Sequence, residues 1–115
     1  GPVDTVRYEI DGHLWVDNRH ALEILLDVPE ARRVVLSVEG NIYVADDLVT
    51  DAARVTLRAR ATPARPDSGS IVLSDPRFGT LRRVKADLVA DRAVVVERVS
   101  EGFAIEGRVV QGLRR

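Results

Sequence analysis

The 115-residue sequence predicts an all-β fold, a short parallel β-solenoid. Apolar and polar residues alternate in several short segments, which is the pattern of half-buried strands. The chain holds nineteen valines but only 4% aromatic residues, so that aliphatic side chains must build its core. A turn with glycine, an apolar strand and an aspartate also recur along the chain, as stacked coils would require.

The first strands are predicted in the segment TVRYEIDGHLWVD, where two alternating stretches flank a tight turn at Asp11-Gly12. The next segment, ALEILLDVP at residues 21–29, has the propensity for a helical turn. Its apolar alternation and its terminal proline nevertheless favour a strand.

The middle of the chain carries the clearest strand pattern. Strands are predicted at 34–38 and 42–44, and Tyr43 is expected to point away from the core. In residues 53–61, ARVTLRARA, aliphatic residues alternate strictly with threonine and arginine. Residues 62–70 contain two prolines and a glycine, which predicts a turn-rich loop.

The last part of the chain is predicted to hold short strands and irregular turns. A strand is expected at 71–75, followed by an irregular segment that a proline and a glycine interrupt. Residues 81–93 have a helical alternative, because three apolar residues recur there at helical spacing, but the β-branched run that follows favours a strand. The closing segment is expected to place Phe103 and Ile105 in a strand, followed by a turn and Val109, and residues 113–115 are expected to fray.

The recurring unit starts at Asp11, Glu39 and Ser68 as DGHLWVD, EGNIYVAD and SGSIVLSD, and more degenerate copies start at Lys85 and Glu101. The spacings of 28, 29, 17 and 16 residues indicate that one unit forms one coil of about 17 residues, which insertions lengthen. Because strands and turns also alternate in other all-β folds, a β-sandwich or small barrel is the alternative.

A single domain is predicted over residues 3–115, and Gly1-Pro2 has the form of a scar left by a protease. The chain is accordingly interpreted as a piece of a longer protein. It has no cysteine, which excludes a disulfide framework, a zinc ribbon and a thiol nucleophile. No apolar run approaches the roughly 20 residues that span a bilayer, so no membrane insertion is expected in this segment.

Charge is distributed unevenly, although the net charge is only −1. Residues 1–53 carry a balance of −7, whereas residues 54–85 carry a balance of +6. This asymmetry predicts that acidic and basic parts of neighbouring molecules meet, which would give salt-sensitive self-association through the solenoid ends. Nucleic acid is disfavoured as a partner, because the pI is near 6.1 and few aromatic residues lie among the arginines.

The order of four segments resembles the PilX-like proteins linked to bacterial type IV pilus assembly. The segments are EIDGHLWVDN, VEGNIYVADDLV, GSIVLSDPRFGTLRRVKADLVAD and IEGRVVQG. The resemblance covers most of residues 8–112, and DPRFGTL is its most distinctive motif. It implies a glycine-punctuated right-handed β-helix of the cell envelope or the cell exterior, without catalytic residues or a cofactor. The sequence departs from the family at Ala86, where glycine is expected, and in its many arginines.

The segments VEGNI and IEGRVVQG are also similar to parts of the bactofilins, which are cytoplasmic β-helical filament formers. This second resemblance implies a cytoplasmic location as the alternative. Bactofilin coils are regular, whereas this chain carries insertions at 62–68 and 76–84.

No residues form a catalytic, cofactor-binding or metal site by their spacing. His13 and His20 are seven residues apart, which is not a preferred metal-ligand spacing. Asp46, Asp47 and Asp51 lack the EF-hand pattern, and aspartates at strand ends are expected to accept hydrogen bonds from turn amides instead. The serines lie outside any nucleophile elbow.

The sequence therefore predicts a non-enzymatic structural or interaction module of a bacterial cell-envelope or pilus-associated protein. Its expected partners are other protein subunits or further copies of itself. The alternative is a glycan- or protein-binding β module. The candidate interaction surface consists of two aromatic residues and four arginines: Trp15, Tyr43, Arg58, Arg60, Arg82 and Arg83.

Overall fold

The computed structural model describes residues 4–17, 33–51 and 53–113, and within those ranges it contains eleven strands and no helix. The strands are β1 Thr5–Asp11, β2 Leu14–Val16, β3 Arg33–Glu39, β4 Ile42–Val44, β5 Arg54–Ala59, β6 Ile71–Leu73, β7 Arg83–Lys85, β8 Asp87–Ala90, β9 Val94–Val96, β10 Ala104–Glu106 and β11 Val109–Val110. All hydrogen-bonded pairs of neighbouring strands among them are parallel. The prediction of an all-β fold is confirmed.

The strands form three sheets, which are the sides of a parallel β-solenoid. The first face has the order β1-β3-β5-β8-β11, and the second face has the order β2-β4-β6-β9. The third face pairs β7 with β10, and Leu48 extends it through a parallel bridge to Val84. Because the chain visits the three faces in turn, each coil lies on the preceding one. Parallel neighbours of this kind distinguish the solenoid from the sandwich or barrel alternative.

The strand register confirms the first three copies of the recurring unit. Leu14, Ile42, Ile71 and Val94 are aligned on the second face at intervals of 28, 29 and 23 residues. The tight turn at Asp11-Gly12 is a corner between two faces, so β1 and β2 do not pair with each other.

The placement of the fourth and fifth copies was wrong. KADLVAD forms β8 on the first face, and EGFAIEG contributes β10 to the third face. The true fourth copy is residues 91–98, DRAVVVER, in which Arg92 takes the position of the glycines. The shortest coils have 21 residues, as from Leu36 to Leu57, and not about 17.

Aliphatic ladders fill the space inside the three faces. Leu36, Leu57 and Leu88 are aligned across consecutive coils of the first face, and all three are fully buried. Each such side chain contributes about 1.5–3 kcal/mol when it leaves water. The predicted alternation is confirmed at 53–61, and Tyr43 lies on the outer surface, while its neighbours Ile42 and Val44 are buried.

The helical alternative for residues 81–93 was wrong, because this segment forms β7 and β8. The loop at 62–70 and the irregular segment at 76–80 are confirmed. The predicted strand at 21–29 lies outside the described residues, as do His20 and Gly1-Pro2.

Glycines allow the coils to approach closely at the corner between the first and second faces. The Gly69 amide donates a hydrogen bond of 3.1 Å to the Gly40 carbonyl, and the Gly12 amide lies 3.4 Å from the Glu39 carbonyl. A Cβ atom on Gly40 would stand 2.6 Å from the carbonyl oxygen of Gly12. Gly69 has a φ of 100°, which L side chains rarely adopt. These two positions therefore explain why the recurring unit carries glycine.

The central position of Leu57 predicts a large loss of stability on truncation. We expect Leu57→Ala to lower the free energy of unfolding by about 2–5 kcal/mol, because the cavity is closed in by coils on both sides. The control Thr56→Ala removes the outward-facing neighbour on β5 and is expected to cost less than about 1 kcal/mol. Urea unfolding would measure both, and equal losses would contradict the assignment of the inner face.

Candidate functional site

Trp15 and Tyr43 form a stacked aromatic pair on the outside of the second face. The two residues are register partners on β2 and β4, and their ring centroids are 4.8 Å apart with the planes inclined by 16°. His13 makes edge contacts with both rings, at centroid distances of 5.8 Å and 6.1 Å. Trp15 keeps 58% of its surface exposed, so the pair presents a large aromatic surface to solvent.

A polar ladder beside the aromatic pair holds it in place. The Asn41 amide donates to His13 Nδ1 at 2.9 Å, and the Ser70 amide donates to Asn41 Oδ1 at 3.0 Å. The Asn41 side-chain amide also donates to the Tyr43 hydroxyl at 3.0 Å. Because His13 Nδ1 accepts a hydrogen bond, this histidine is built into the corner of the solenoid.

A rigid loop after β6 forms the opposite wall of a groove beside these rings. The carboxylate of Asp75 accepts hydrogen bonds from the amides of Arg77 and Phe78, both at 3.1 Å, and from Thr80 Oγ1 at 2.8 Å. These bonds fix Phe78 on the surface with 76% exposure. The expectation that strand-ending aspartates bind turn amides is confirmed at Asp75.

Asp47 instead accepts hydrogen bonds from amides at the start of β7, since its Oδ1 lies 2.7 Å from the Arg82 amide and 3.2 Å from the Arg83 amide. The carboxylate therefore joins two coils at the start of the third face. Asp46 accepts from the Asp47 amide at 2.8 Å. Among the described residues, no group of three or more metal-ligating side chains is close enough to hold an ion.

The groove between the aromatic pair and the loop has a volume of about 290 Å³. Polar and charged side chains line it beside Trp15 and Tyr43, among them Asp17, Arg77 and Glu97. It continues into a cleft of about 550 Å³, which Phe78 also lines. Arg77 and Phe78 were not part of the predicted interaction surface, although they lie in the distinctive DPRFGTL motif.

The six residues of the predicted interaction surface lie on different sides of the molecule. Trp15 and Tyr43 belong to the second face, Arg58 lies on the first face and Arg60 follows it directly, and Arg82 and Arg83 lie on or beside the third face. The structure therefore brings the two aromatic residues together but separates them from the arginines.

Three of these arginines already have acidic partners within the chain. Arg58 Nη2 lies 2.7 Å from Asp91 Oδ1, and Arg83 Nη2 donates to both oxygens of Glu106 at 2.7 Å and 2.8 Å. The Arg82 guanidinium lies 3.5 Å from the carboxylate of Asp47.

The acidic and basic parts of the sequence meet within one molecule. Arg65 of the basic segment pairs with Asp11 of the acidic segment at 2.6 Å, and Lys85 pairs with Asp51. The Asp47–Arg82 contact joins the same two segments. The charge asymmetry that predicted salt-sensitive contacts between molecules is therefore partly neutralised along the solenoid, because stacking brings distant segments side by side.

Asp91 is the most buried of the ion-paired carboxylates. Its Oδ2 accepts a hydrogen bond from the Ala61 amide at 2.8 Å, while Oδ1 pairs with Arg58. Burial alone would raise its pKa, but the bonds from Arg58 and the Ala61 amide together hold the pKa below its ordinary value. The pair connects the ends of β5 and β8 and fixes the start of the loop at 62–70.

Comparison with protein-family models, curated proteins and solved structures found no match for this chain. The described residues contain no helix that is long and apolar enough to cross a membrane.

Asp91 predicts how stability depends on pH. Since its pKa is lowered in the folded state, its charged form stabilises the fold above about pH 4, and this contribution is lost as the pH falls through the lowered pKa. We expect Asp91→Asn to reduce stability by about 1–3 kcal/mol at neutral pH, because Arg58 loses its partner. The difference from the native protein should shrink as the pH falls below about 4.

Thermal unfolding between neutral and acidic pH would measure this effect. Asp67→Asn is the control, because the Asp67 side chain is fully exposed and its one ion pair, with Arg92, is long at 3.5 Å. A deficit of Asp91→Asn that stays constant across the pH range would contradict the role of the carboxylate charge.

Proposed function

We propose that this chain is a non-enzymatic structural and interaction module that associates through the ends of its solenoid. The observation that carries the proposal is the open last coil. Val96 and Val109 occupy inward positions, yet they are 46% and 44% exposed. Their register partners in the preceding coil, Leu73 and Leu88, are fully buried. The last coil thus presents core positions that a further coil would cover.

The backbone at this end supports the same proposal. β9 and β11 are the last strands of their sheets, and β10 is the edge of the third face, so no other described strand pairs with their outer edges. An unpaired edge offers a row of amide and carbonyl groups that readily pairs with another strand. The C-terminal residues occupy the start of this edge, because the Val94 amide donates to Gln111 Oε1 and the Gly112 amide donates to the Arg92 carbonyl, both at 2.8 Å. The rest of the edge lies beside the exposed apolar positions Val96 and Val109.

A second copy of the chain has a matching surface at its other end. β1 and β2 are the opposite edge strands of the first and second faces, and the inward residues Val6, Ile10 and Leu14 are only partly buried. Stacking β9 against β2 of the next copy would continue the parallel register of the second face. Such unlike ends make a heterologous contact, which extends as a fibre when the rotation does not close.

The two family resemblances support different locations for this module. The resemblance to PilX-like proteins supports a role in the bacterial cell envelope or at the pilus, where other subunits would be the partners. The resemblance to bactofilins supports a cytoplasmic filament as the alternative. Both fit a chain whose ends associate.

The open last coil predicts that a charge at Val109 disrupts association. We expect Val109→Lys to weaken self-association by about tenfold or more, since an unpaired ammonium group would be buried between coils. Val110→Lys is the matched control, because Val110 aligns with Val89 on the outer surface. Sedimentation velocity over a wide concentration range would compare the two variants with the native chain.

We further expect the association to persist at high salt, because the main charged segments already pair within the molecule and the end surface is apolar. A native chain that remains monomeric at every concentration would contradict the proposal, as would equal effects of the two variants.

A further inference from the structure

We infer that the groove beside Trp15 and Tyr43 binds a pyranose oligosaccharide without acidic groups. The inference concerns a lateral surface, and it goes beyond the proposed association through the solenoid ends. It depends on the aromatic surfaces, on the polar groups between them and on the rigidity of both walls.

Aromatic residues are concentrated around this groove. The chain has five aromatic residues, and Trp15, Tyr43 and Phe78 lie at the groove or at the cleft that continues it. Trp15 and Phe78 are mostly exposed, and clustered apolar surface with polar groups around it is typical of ligand-binding grooves. The C–H face of a pyranose ring packs well on such flat rings, while its hydroxyl groups remain at the edge.

The polar groups of the groove suit those hydroxyl groups. Among the described residues, the carboxylates of Asp17 and Glu97 and the guanidinium of Arg77 have no hydrogen-bond or ion-pair partner. Many other arginines of the chain are paired, including Arg54, Arg58, Arg65, Arg83 and Arg92. Carboxylates accept hydrogen bonds and a guanidinium donates them, so the groove offers both partners that a sugar hydroxyl needs.

The charge of the groove selects against other ligands. Two unpaired carboxylates line the groove beside one unpaired guanidinium, and the nearby Arg98 guanidinium donates to the Pro76 carbonyl, so the groove does not favour phosphate groups or acidic sugars. A proline-rich peptide would use the aromatic surface but would leave three charged groups without hydroxyl partners. A neutral or amino-bearing oligosaccharide can pack its sugar rings on the aromatic rings and place its hydroxyl or amino groups beside the charged side chains.

Both walls of the groove are fixed before any ligand arrives. Asn41 holds the hydroxyl of Tyr43, and Asp75 holds the backbone of the loop that carries Arg77 and Phe78. Binding would therefore cost little ordering of the protein. The groove and the adjoining cleft together have room for several sugar units of a chain.

Trp15 is the only tryptophan in the sequence, so its fluorescence reports on this site alone. We would titrate the protein with cellohexaose, maltohexaose, chitohexaose and its deacetylated form, and with a proline-rich decapeptide. A saturable change of Trp15 emission with at least one hexasaccharide is expected. Asp17→Asn and Arg77→Ala should each weaken that binding by about tenfold or more.

Arg33→Ala is the control, because Arg33 is an exposed arginine on the first face and lies away from the groove. The titrations would be repeated with Val109→Lys, so that a failure of end association is distinguished from a failure of ligand binding. No saturable change with any hexasaccharide would overturn the inference. Saturation by the decapeptide alone, or equal affinities of the groove variants and the control, would overturn it as well.

Discussion

The parallel register between consecutive coils is the constraint on which the rest of this structure depends. Each strand satisfies its backbone groups only through the coils above and below it, so a side chain at one position lies beside its equivalents in the neighbouring coils. Inward positions must therefore be aliphatic in every coil, as in the ladder of Leu36, Leu57 and Leu88. Outward positions form ladders for the same reason, and the stacked rings of Trp15 and Tyr43 are one of them.

The same constraint decides where the chain can vary. A change in length within a strand would shift every inward side chain to the outer surface, so insertions are confined to corners. The loop at 62–70 and the segment at 75–82 are two such insertions. The second of them builds one wall of the groove, and Asp75 gives it a defined conformation through bonds to its own backbone. An insertion at one corner of an otherwise regular solenoid therefore supplies one wall of the candidate groove.

Much of the solenoid was predictable from local sequence patterns. Apolar residues alternate along a strand with a period of two, which is also the period at which strand side chains point into the solenoid. The offset between DGHLWVD and EGNIYVAD already aligned Trp15 with Tyr43. The fourth copy was misplaced because Arg92 replaces the glycine and the coil is shorter, while KADLVAD resembles the pattern more closely. The ion pairs could not be predicted, because contacts such as Arg65–Asp11 depend on the number of residues in every intervening corner.

Ion pairs between coils are numerous here, but they do not explain why the coils stack. Exposed pairs such as Arg83–Glu106 contribute little to stability, because water and salt screen them, whereas one buried leucine contributes about 1.5–3 kcal/mol. The pairs instead partly neutralise the charge asymmetry of the sequence within one molecule. The proposed association would then depend on the apolar ends, and growth along the axis would not alter the lateral groove. A stack of copies would present one groove per molecule at a regular spacing, which favours binding to a long polymeric ligand through several sites at once.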